Sequence, residues 1–529
     1  MFVGVKSKVV YLRRLFINDI MTFFSILYMH SQDEIDEENI QEPDFFSDLN
    51  LNKVVLAITN GNEDYNLRPF FYDSLKSLDA ITYRHEIFRD LENPHIYNAI
   101  VKFSATMKQM RNELAQADKL YYNYQKESWF LDAVELYCRS VRDLARELND
   151  IKPQSCGLSH FLRYLNQYIP SEQFIALEEE ISQLKSDLSK VRYCLYIKGK
   201  EITVQAYNDE ADFLFEVIKT CELFTGGTCQ PYYENSPDYP EMNHIEAKIL
   251  DFVAKIFPNE FARFEAFYTK NLGFFDNIIR RFDREIHFYI SYLEFIARFK
   301  KEGLSFCIPY VSNTKDISNI DGFDLALAHQ LIEEKRSIVC NDFYMAENER
   351  IFVITGPNQG GKTTFARAFG QIHYLASLGL MVPGRRAKLF LFDNLFTHFE
   401  REEDMSNLMS KLEDDLVRIH DIFQHCTSRS IIIINEMFTS TTVQDALFLG
   451  RNVLEYALKL DVICLYVTFL DELTHIDKTV SLVSTVDPLN PDLRTYKIER
   501  KPADGLSYAI ALAKKNHVTF EEITQRIQS

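Results

Sequence analysis

Nowhere does this sequence hold the roughly 20 consecutive apolar residues that a membrane-spanning helix needs. The nearest approach is "LFINDIMTFFSILYM" at residues 15–29, which follows Lys6, Lys8, Arg13 and Arg14. Asn18 and Asp19 interrupt it, and no small-residue cleavage site follows. It reads as a buried N-terminal strand, or as residues around a true start at Met21 rather than Met1, and not as a signal or anchor. Metal-type cysteine spacing is missing too. The nine cysteines include no C-x-x-C pair, so they read as reduced thiols, small core residues of a cytoplasmic protein. Positive charge is in short supply: 58 Lys and Arg against 77 Asp and Glu leave a net charge of −19. That excludes coating nucleic acid by bulk electrostatics but leaves room for a local basic surface. No internal repeat or low-complexity tract is present, which excludes a solenoid.

What is present changes texture along the chain. Residues 31–44, "SQDEIDEENIQEPD", read as a solvated acidic linker. From 45 to 305 the pattern is mostly helical. Phe174, Leu177, Ile181, Leu184, Leu188 and Val191 form the seam of one long helix, and residues 275–301 form another. "VRYCLYIKGKEITVQAY", 191–207, alternates at period two around Lys-Gly-Lys and predicts a β-hairpin. The Gly-, Pro- and Tyr-rich stretch at 225–243 predicts a loop. From 306 onwards short apolar runs, "IFVIT", "SIIIINE" and "VICLYVT", alternate with helical patterns, the mark of a parallel sheet with flanking helices. The expected fold class is therefore multidomain α and α/β. Its domains are a segment and linker over 1–44, a helical region over 45–305 with the hairpin inserted, and an α/β domain over 306–529.

The most specific stretch is "FVITGPNQGGKTTFARAFG", 352–370. Gly356-Pro357-Asn358-Gln359-Gly360-Gly361-Lys362-Thr363 fits G-x-x-x-x-G-K-[ST], followed by Thr364. A short β-branched run precedes it, and a helical face of Phe365, Ala368, Phe369, Ile372 and Leu375 follows. Strand, loop and helix in that order make a phosphate-binding loop. The glycines let backbone N–H groups approach an anion at a helix N-terminus. Lys362 then reaches the β- and γ-phosphates and the Thr363 hydroxyl holds Mg²⁺. Downstream, "SIIIINEMFTSTTVQDA", 430–446, ends a fully apolar strand on polar groups, where sites in open α/β sheets lie. Glu436 is the candidate for orienting the attacking water. Asn435 stands where an aspartate usually helps hold Mg²⁺.

These residues resemble the C-terminal half of the MutS-type DNA mismatch-repair ATPases, part of the ABC class of paired ATPases. The family's T-G-P-N-M-G-G-K-S-T is similar to Thr355–Thr364, including the Pro-Asn inside the loop. F-V-P-N-D resembles "IVCND" with Asn341 and Asp342, and F-D-R-I-F-T-R-I resembles "FDNLFTHF" at 392–399. H-E-L-T resembles "DELT" at 471–474, and S-Y-G-I resembles "GLSYAI" with Ser507 and Tyr508. More weakly, residues 70–92 resemble the start of the family's lever and 289–311 the helix leading into its ATPase. The resemblance implies a homodimer. ATP and Mg²⁺ would be held by one subunit's loop with Asn341 nearby, Ser410 would reach in from the other subunit, and helical lever and clamp arms would grip mismatched, branched or distorted duplex DNA. Other repair proteins are implied as partners and a membrane is not.

The departures matter as much. Asn435 replaces an Asp, and Phe469 in "VTFLDEL" replaces a His that senses phosphate. In "LMSKLEDDL" Ser410 keeps a hydroxyl while Leu408 replaces a Gly, and in "FTSTTVQDA" Asp445 stays while the glycines are gone. Each removes a catalytic or sensing feature, so slow hydrolysis is expected. The residues before 45 are too few for the family's mismatch-reading wedge domain. The basic residues of the hairpin (Arg192, Lys198, Lys200) and Arg280, Arg281 and Arg284 are candidates for phosphate contact or plain surface. The rival expectations are an ATP-gated interaction module that does not bind DNA and, more remotely, a phosphotransferase acting on a small molecule.

Overall fold

The computed structural model describes residues 23–30, 34, 40–208, 242–400, 410–487 and 494–503, with 519, 523 and 524 near the C-terminus. The basic N-terminal segment, most of the acidic linker, nearly all of the loop read at 225–243, Leu408, and Ser507 and Tyr508 lie outside the described residues. The chain divides into two compact units. One comprises residues 90–154 and 158–283, and the other residues 24–89, 155–157 and 284 to the C-terminal end.

Helices come first in chain order: Phe45–Asp48 (α1), Leu51–Thr59 (α2), Leu78–Leu91 (α3), Pro94–Lys119 (α4), Asn123–Ile151 (α5), Cys156–Tyr168 (α6) and Glu172–Leu188 (α7). The first unit is built on α4, α5 and α7. Asn93 starts α4 by accepting the His95 N–H, with Pro94 at the first helical position, where its missing N–H costs nothing. Ser171 caps α7 in the same way through Phe174 N–H. The predicted seam of α7 is buried at Phe174, Leu177, Ile181 and Leu184. Aromatic rings fill this core, with Phe161 and Phe282 stacked at 3.6 Å between centroids. The hairpin forms as Tyr193–Lys198 (β1) and Glu201–Ala206 (β2), paired in antiparallel register with Lys198 opposite Glu201. Gly199 supplies the positive φ (65°) of its turn. Helices His244–Ile256 (α8), Pro258–Lys270 (α9) and Asn277–Lys301 (α10) follow.

The second unit is α/β. After the short strands Phe306–Cys307 (β3), Tyr310–Ser312 (β4) and Ile317–Gly322 (β5) come Leu325–Glu333 (α11), Asn341–Met345 (β6), Ile351–Thr355 (β7) and Lys362–Ser377 (α12). Val382–Pro383 (β8), Arg386–Phe390 (β9), Leu395–Phe399 (β10) and Lys411–His425 (α13) continue it. Ile431–Asn435 (β11), Val443–Lys459 (α14), Ile463–Val467 (β12), Thr479–Val486 (β13) and Arg494–Arg500 (β14) complete it. The main sheet runs β10-β11-β12-β7-β13-β14, with β14 alone antiparallel to its neighbour. Every residue of β7, β11 and β12 is buried, as continuous apolar runs covered on both faces must be. Alternation assigns the faces. Ile432 and Ile434 pack with Val453 and Leu454 of α14 and Ile419 of α13. Ile433 points the other way, close enough to Gly370 of α12 that a β-carbon there would meet it at 2.8 Å. The register aligns Ile354, Asn435, Val467 and Phe399 at one edge of the sheet, with Thr355 one residue beyond.

Residues 45–89 pack on α12. The Gln371 amide donates to Leu49 O at 2.8 Å, Tyr374 O–H to Phe71 O at 2.8 Å and Arg84 to Leu378 O at 2.8 Å. His373 lies among these contacts with no exposure. Burial pushes its pKa, and that of buried His85, down to about 4 from 6.5. Both are therefore neutral when folded and take up a proton only on unfolding. Their stabilisation is complete above pH 6.5 and is lost as pH falls through 6.5 towards 4. Between pH 7 and 5 each is expected to remove roughly 2 kcal/mol. Asp283, pushed up to about 6 by burial against the pull of Arg111, acts in the opposite sense over pH 4–6. The difference between wild type and His373→Leu in guanidinium unfolding at the two pH values therefore carries the signature. The variant should lose about 2 kcal/mol less than wild type on acidification.

Candidate functional site

The loop 356–361 leaves the C-terminal end of β7, at the aligned edge of the sheet. Its backbone is left-handed at Gly356 (φ 115°), Gln359 (φ 60°) and Gly361 (φ 92°). A β-carbon at Gly356 would lie 2.9 Å from Ser484 O of β13, so glycine is required there by both angle and contact. Ser484 also donates its hydroxyl to Gly360 O at 2.7 Å, pinning the loop to β13. The first turn of α12 opens at Lys362, and its leading N–H groups have no intrahelical acceptor.

Lys362 is 4 % exposed. Its ammonium donates to Gly356 O at 3.0 Å, Pro357 O at 3.2 Å and Asn358 Oδ1 at 3.3 Å. Burial pulls its pKa below the usual lysine range, Glu436 at 3.9 Å opposes that shift, and Arg494 adds to it. Thr363 donates its hydroxyl to Asn435 Oδ1 at 3.0 Å. Glu436 follows β11, its N–H held by Val467 O at 3.0 Å. It is left-handed (φ 54°), as is Phe438 (φ 62°), a conformation that costs a non-glycine residue about 1–3 kcal/mol and collects at functional sites.

These groups open on a cavity of about 370 Å³, within the range for small-molecule sites. Its polar end comprises Gln359–Thr364, Glu436 and Asn341. The rest of its lining sets apolar Phe323, Leu327, Leu331, Ile338 and Val339 beside Asp324, Arg336 and Ser337. Asn341 also ties β6 to β14, accepting Ile498 N–H at 2.8 Å and donating to Tyr496 O at 3.1 Å. That tie leaves Tyr496 half exposed, left-handed (φ 58°) and on the cavity rim against Gly361. The arrangement can receive an anion at the glycine turn and a flat apolar group against the apolar side chains.

The family model described as MutS domain V matches residues 352–526, the stretch that carries this loop and Glu436. Curated relatives named DNA mismatch repair protein MutS match too. That of Ruminiclostridium cellulolyticum is 30% identical over 289 residues, 52% of this chain and 32% of the relative. That of Lactobacillus delbrueckii subsp. bulgaricus is 29% identical over 222 residues (40% and 25%). That of Thermotoga maritima is 29% identical over 208 residues (38% and 26%). Residues 352–526 are similar to MutS domain V, and the chain to MutS proteins. It matches about a quarter to a third of the length of these relatives.

Within this MutS-like chain the expected residues divide by place. Gln359, Gly360, Gly361, Lys362, Thr363, Thr364, Asn341 and Glu436 share the cavity. Gly356, Pro357 and Asn358 meet Lys362 instead, and Asn435 meets Thr363. Ser410 is elsewhere, as the N-cap of α13, accepting Glu413 N–H at 3.3 Å. Phe469 is half exposed and does not line the cavity. Arg284 is engaged with Tyr65 O at 2.7 Å and lies over the Phe70 ring, so it is not free for phosphate. The apolar lining, Ser484 and Tyr496 were missed by sequence reasoning. No motif marks that lining, although the apolar face of 325–331 just upstream of "IVCND" was a usable signal. Among the described residues no helix is long and apolar enough to cross a membrane.

Proposed function

We propose that this chain is an ATP-dependent DNA-binding protein. ATP binding and slow hydrolysis, in a homodimer, change the grip of helical lever and clamp arms on mismatched, branched or distorted duplex. The observation that carries the reading is the cavity lined by a glycine turn, buried Lys362 and apolar side chains from 323–339, its glycine turn and Glu436 lying inside a MutS domain V match. On this reading residues 306–529 form a P-loop ATPase domain of a cytoplasmic protein, and residues 45–305 supply the arms. Gly356–Thr364 hold the phosphates, Asn341 and Tyr496 border the base, and Glu436 orients the attacking water. Ser410, at a helix N-terminus, is offered to the partner subunit's nucleotide. Mg²⁺, when bound, would be held by Thr363 and, through a water, by Asn435, and would neutralise charge on the β- and γ-phosphates. The Thr363–Asn435 pair fits such an ion as a neutral oxygen set.

An amide oxygen in place of a carboxylate removes charge attraction for the metal. Asn435→Asp is therefore expected to lower the Mg²⁺ concentration for half-maximal turnover about tenfold. A Mg²⁺ titration of phosphate release checks this, and an unchanged midpoint would remove Asn435 from the metal's surroundings. DNA binding is tested by fluorescence anisotropy with linear, mismatched and branched duplexes, with and without a non-hydrolysable ATP analogue. Nucleotide-dependent affinity supports the reading. ATP binding without any DNA response would turn it to an ATP-gated interaction module, which the net charge of −19 favours.

A further inference from the structure

A buried histidine–aspartate pair sits behind Glu436 and takes no part in the chemistry described so far. His398 of β10 is 1 % exposed and Asp415 of α13 is 6 % exposed. His398 Nε2 approaches Asp415 Oδ1 at 3.3 Å without the alignment of a full hydrogen bond. The other carboxylate oxygen, Oδ2, accepts the Phe438 N–H at 3.2 Å. Phe438 is fully buried and left-handed, two residues after left-handed Glu436. One carboxylate thus bridges a strand end, a helix and the turn that carries Glu436. A carboxylate in such a place is tolerated only when its oxygens are matched by donors or positive charge. Burial works against its ionisation, but His398, the Phe438 N–H and Arg418 outweigh burial and hold its pKa below the ordinary carboxylate range.

Neither Glu436 nor Phe438 is glycine, so their left-handed turn needs an external tie to persist. Glu436 has its backbone tie at Val467 O, before the turn. After the turn, the tie is Asp415. We propose that Asp415, backed by His398, is a positioning residue for Glu436, fixing the turn that keeps its carboxylate at the cavity and beside Lys362. This rests on the reading of Glu436 as the water-orienting group.

The test is a mutant cycle on the full chain, read by single-turnover ATP hydrolysis and by binding of a fluorescent ATP analogue. Asp415→Ala is expected to slow hydrolysis about 10- to 100-fold, as a displaced catalytic group does. Analogue affinity should stay within about twofold, because the glycine loop is untouched. Asp415→Asn keeps an oxygen for the Phe438 N–H and should fall between wild type and alanine. In a Glu436→Gln background, Asp415→Ala should add less than about twofold, because the group it positions is already gone. Equal losses in both backgrounds, or no loss in the wild-type background, overturn the proposal. If Glu436→Gln itself leaves hydrolysis unchanged, the reading of Glu436 fails instead. Hydrogen exchange then decides separately whether Asp415 ties the turn: a peptide containing Phe438 should exchange faster in Asp415→Ala, and unchanged exchange overturns it. Should Asp415→Ala not fold, Asp415→Asn and His398→Leu carry the same cycle.

Discussion

Lys362→Ala is expected to abolish useful nucleotide binding. The ammonium is nearly fully buried at the start of α12 and faces three oxygens of the glycine turn. A triphosphate entering the cavity would exchange those neutral carbonyl and amide contacts for charged ones. Phosphate oxygens carry charge, so they add a Coulomb attraction to the ammonium that neutral carbonyl oxygens lack. Truncating one partner of a buried, hydrogen-bonded charge pair costs about 2–5 kcal/mol, which is roughly 30- to 4,000-fold in affinity. Alanine also leaves the loop oxygens without their donor, so the turn itself should loosen. Titration with a fluorescent ATP analogue measures the loss. Affinity within threefold of wild type would mean that the cavity is not a phosphate site.

Glu436→Gln should separate binding from hydrolysis. The side chain lies about a third exposed at the cavity, 3.9 Å from the Lys362 ammonium. It lines the same cavity as Thr363, and on the proposed reading it would accept a proton from a water beside the γ-phosphate. Glutamine has the same length and makes the same backbone turn, so folding and loop geometry are retained. Only the capacity to act as a base is removed, an effect worth about 10²–10⁴ in rate. Hydrolysis should fall by that amount while nucleotide affinity is kept. Because slow hydrolysis is expected, the measurement needs single-turnover conditions with labelled ATP. A rate unchanged by this substitution assigns the base elsewhere. A parallel loss of affinity assigns Glu436 to binding rather than to the chemical step.

The relation of these two residues shows what local sequence can place. Lys362 is found by spacing alone, because a phosphate loop is a contiguous backbone shape and its glycines, lysine and hydroxyl must follow in order. Glu436 is found by position at the end of a four-isoleucine run, because apolar continuity reveals a strand buried on both faces and its polar end marks the sheet edge. The seam of α7 was legible because a three-to-four period reports burial of one helix face, whereas the β1–β2 hairpin was legible from its Lys-Gly-Lys turn between strand-forming runs, although both strands are mostly exposed.

Ser410 shows the limit. Its hydroxyl was placed by resemblance, and in the folded chain it caps α13. Nothing in the local sequence separates a capping serine from one that reaches a neighbour, since both favour a helix start. Arg284 makes the same point for charge: its place on a helix suggested surface, yet it is spent on Tyr65 O and Phe70.

By itself the amino-acid order determined the loop, the buried strands and the polar edge, because each depends on neighbours a few positions away. Folding alone decided which distant residues close the cavity. Phe323 and Val339 come from the connections around α11, Tyr496 from the last described strand, and Ser484 from the strand beneath the loop. His398 and Asp415 meet behind Glu436 only because β10, α13 and β11 pack at one edge. Such contacts join residues far apart in the chain, so no local period or spacing encodes them. They exist once the hydrophobic faces of the sheet and its helices have been buried against each other.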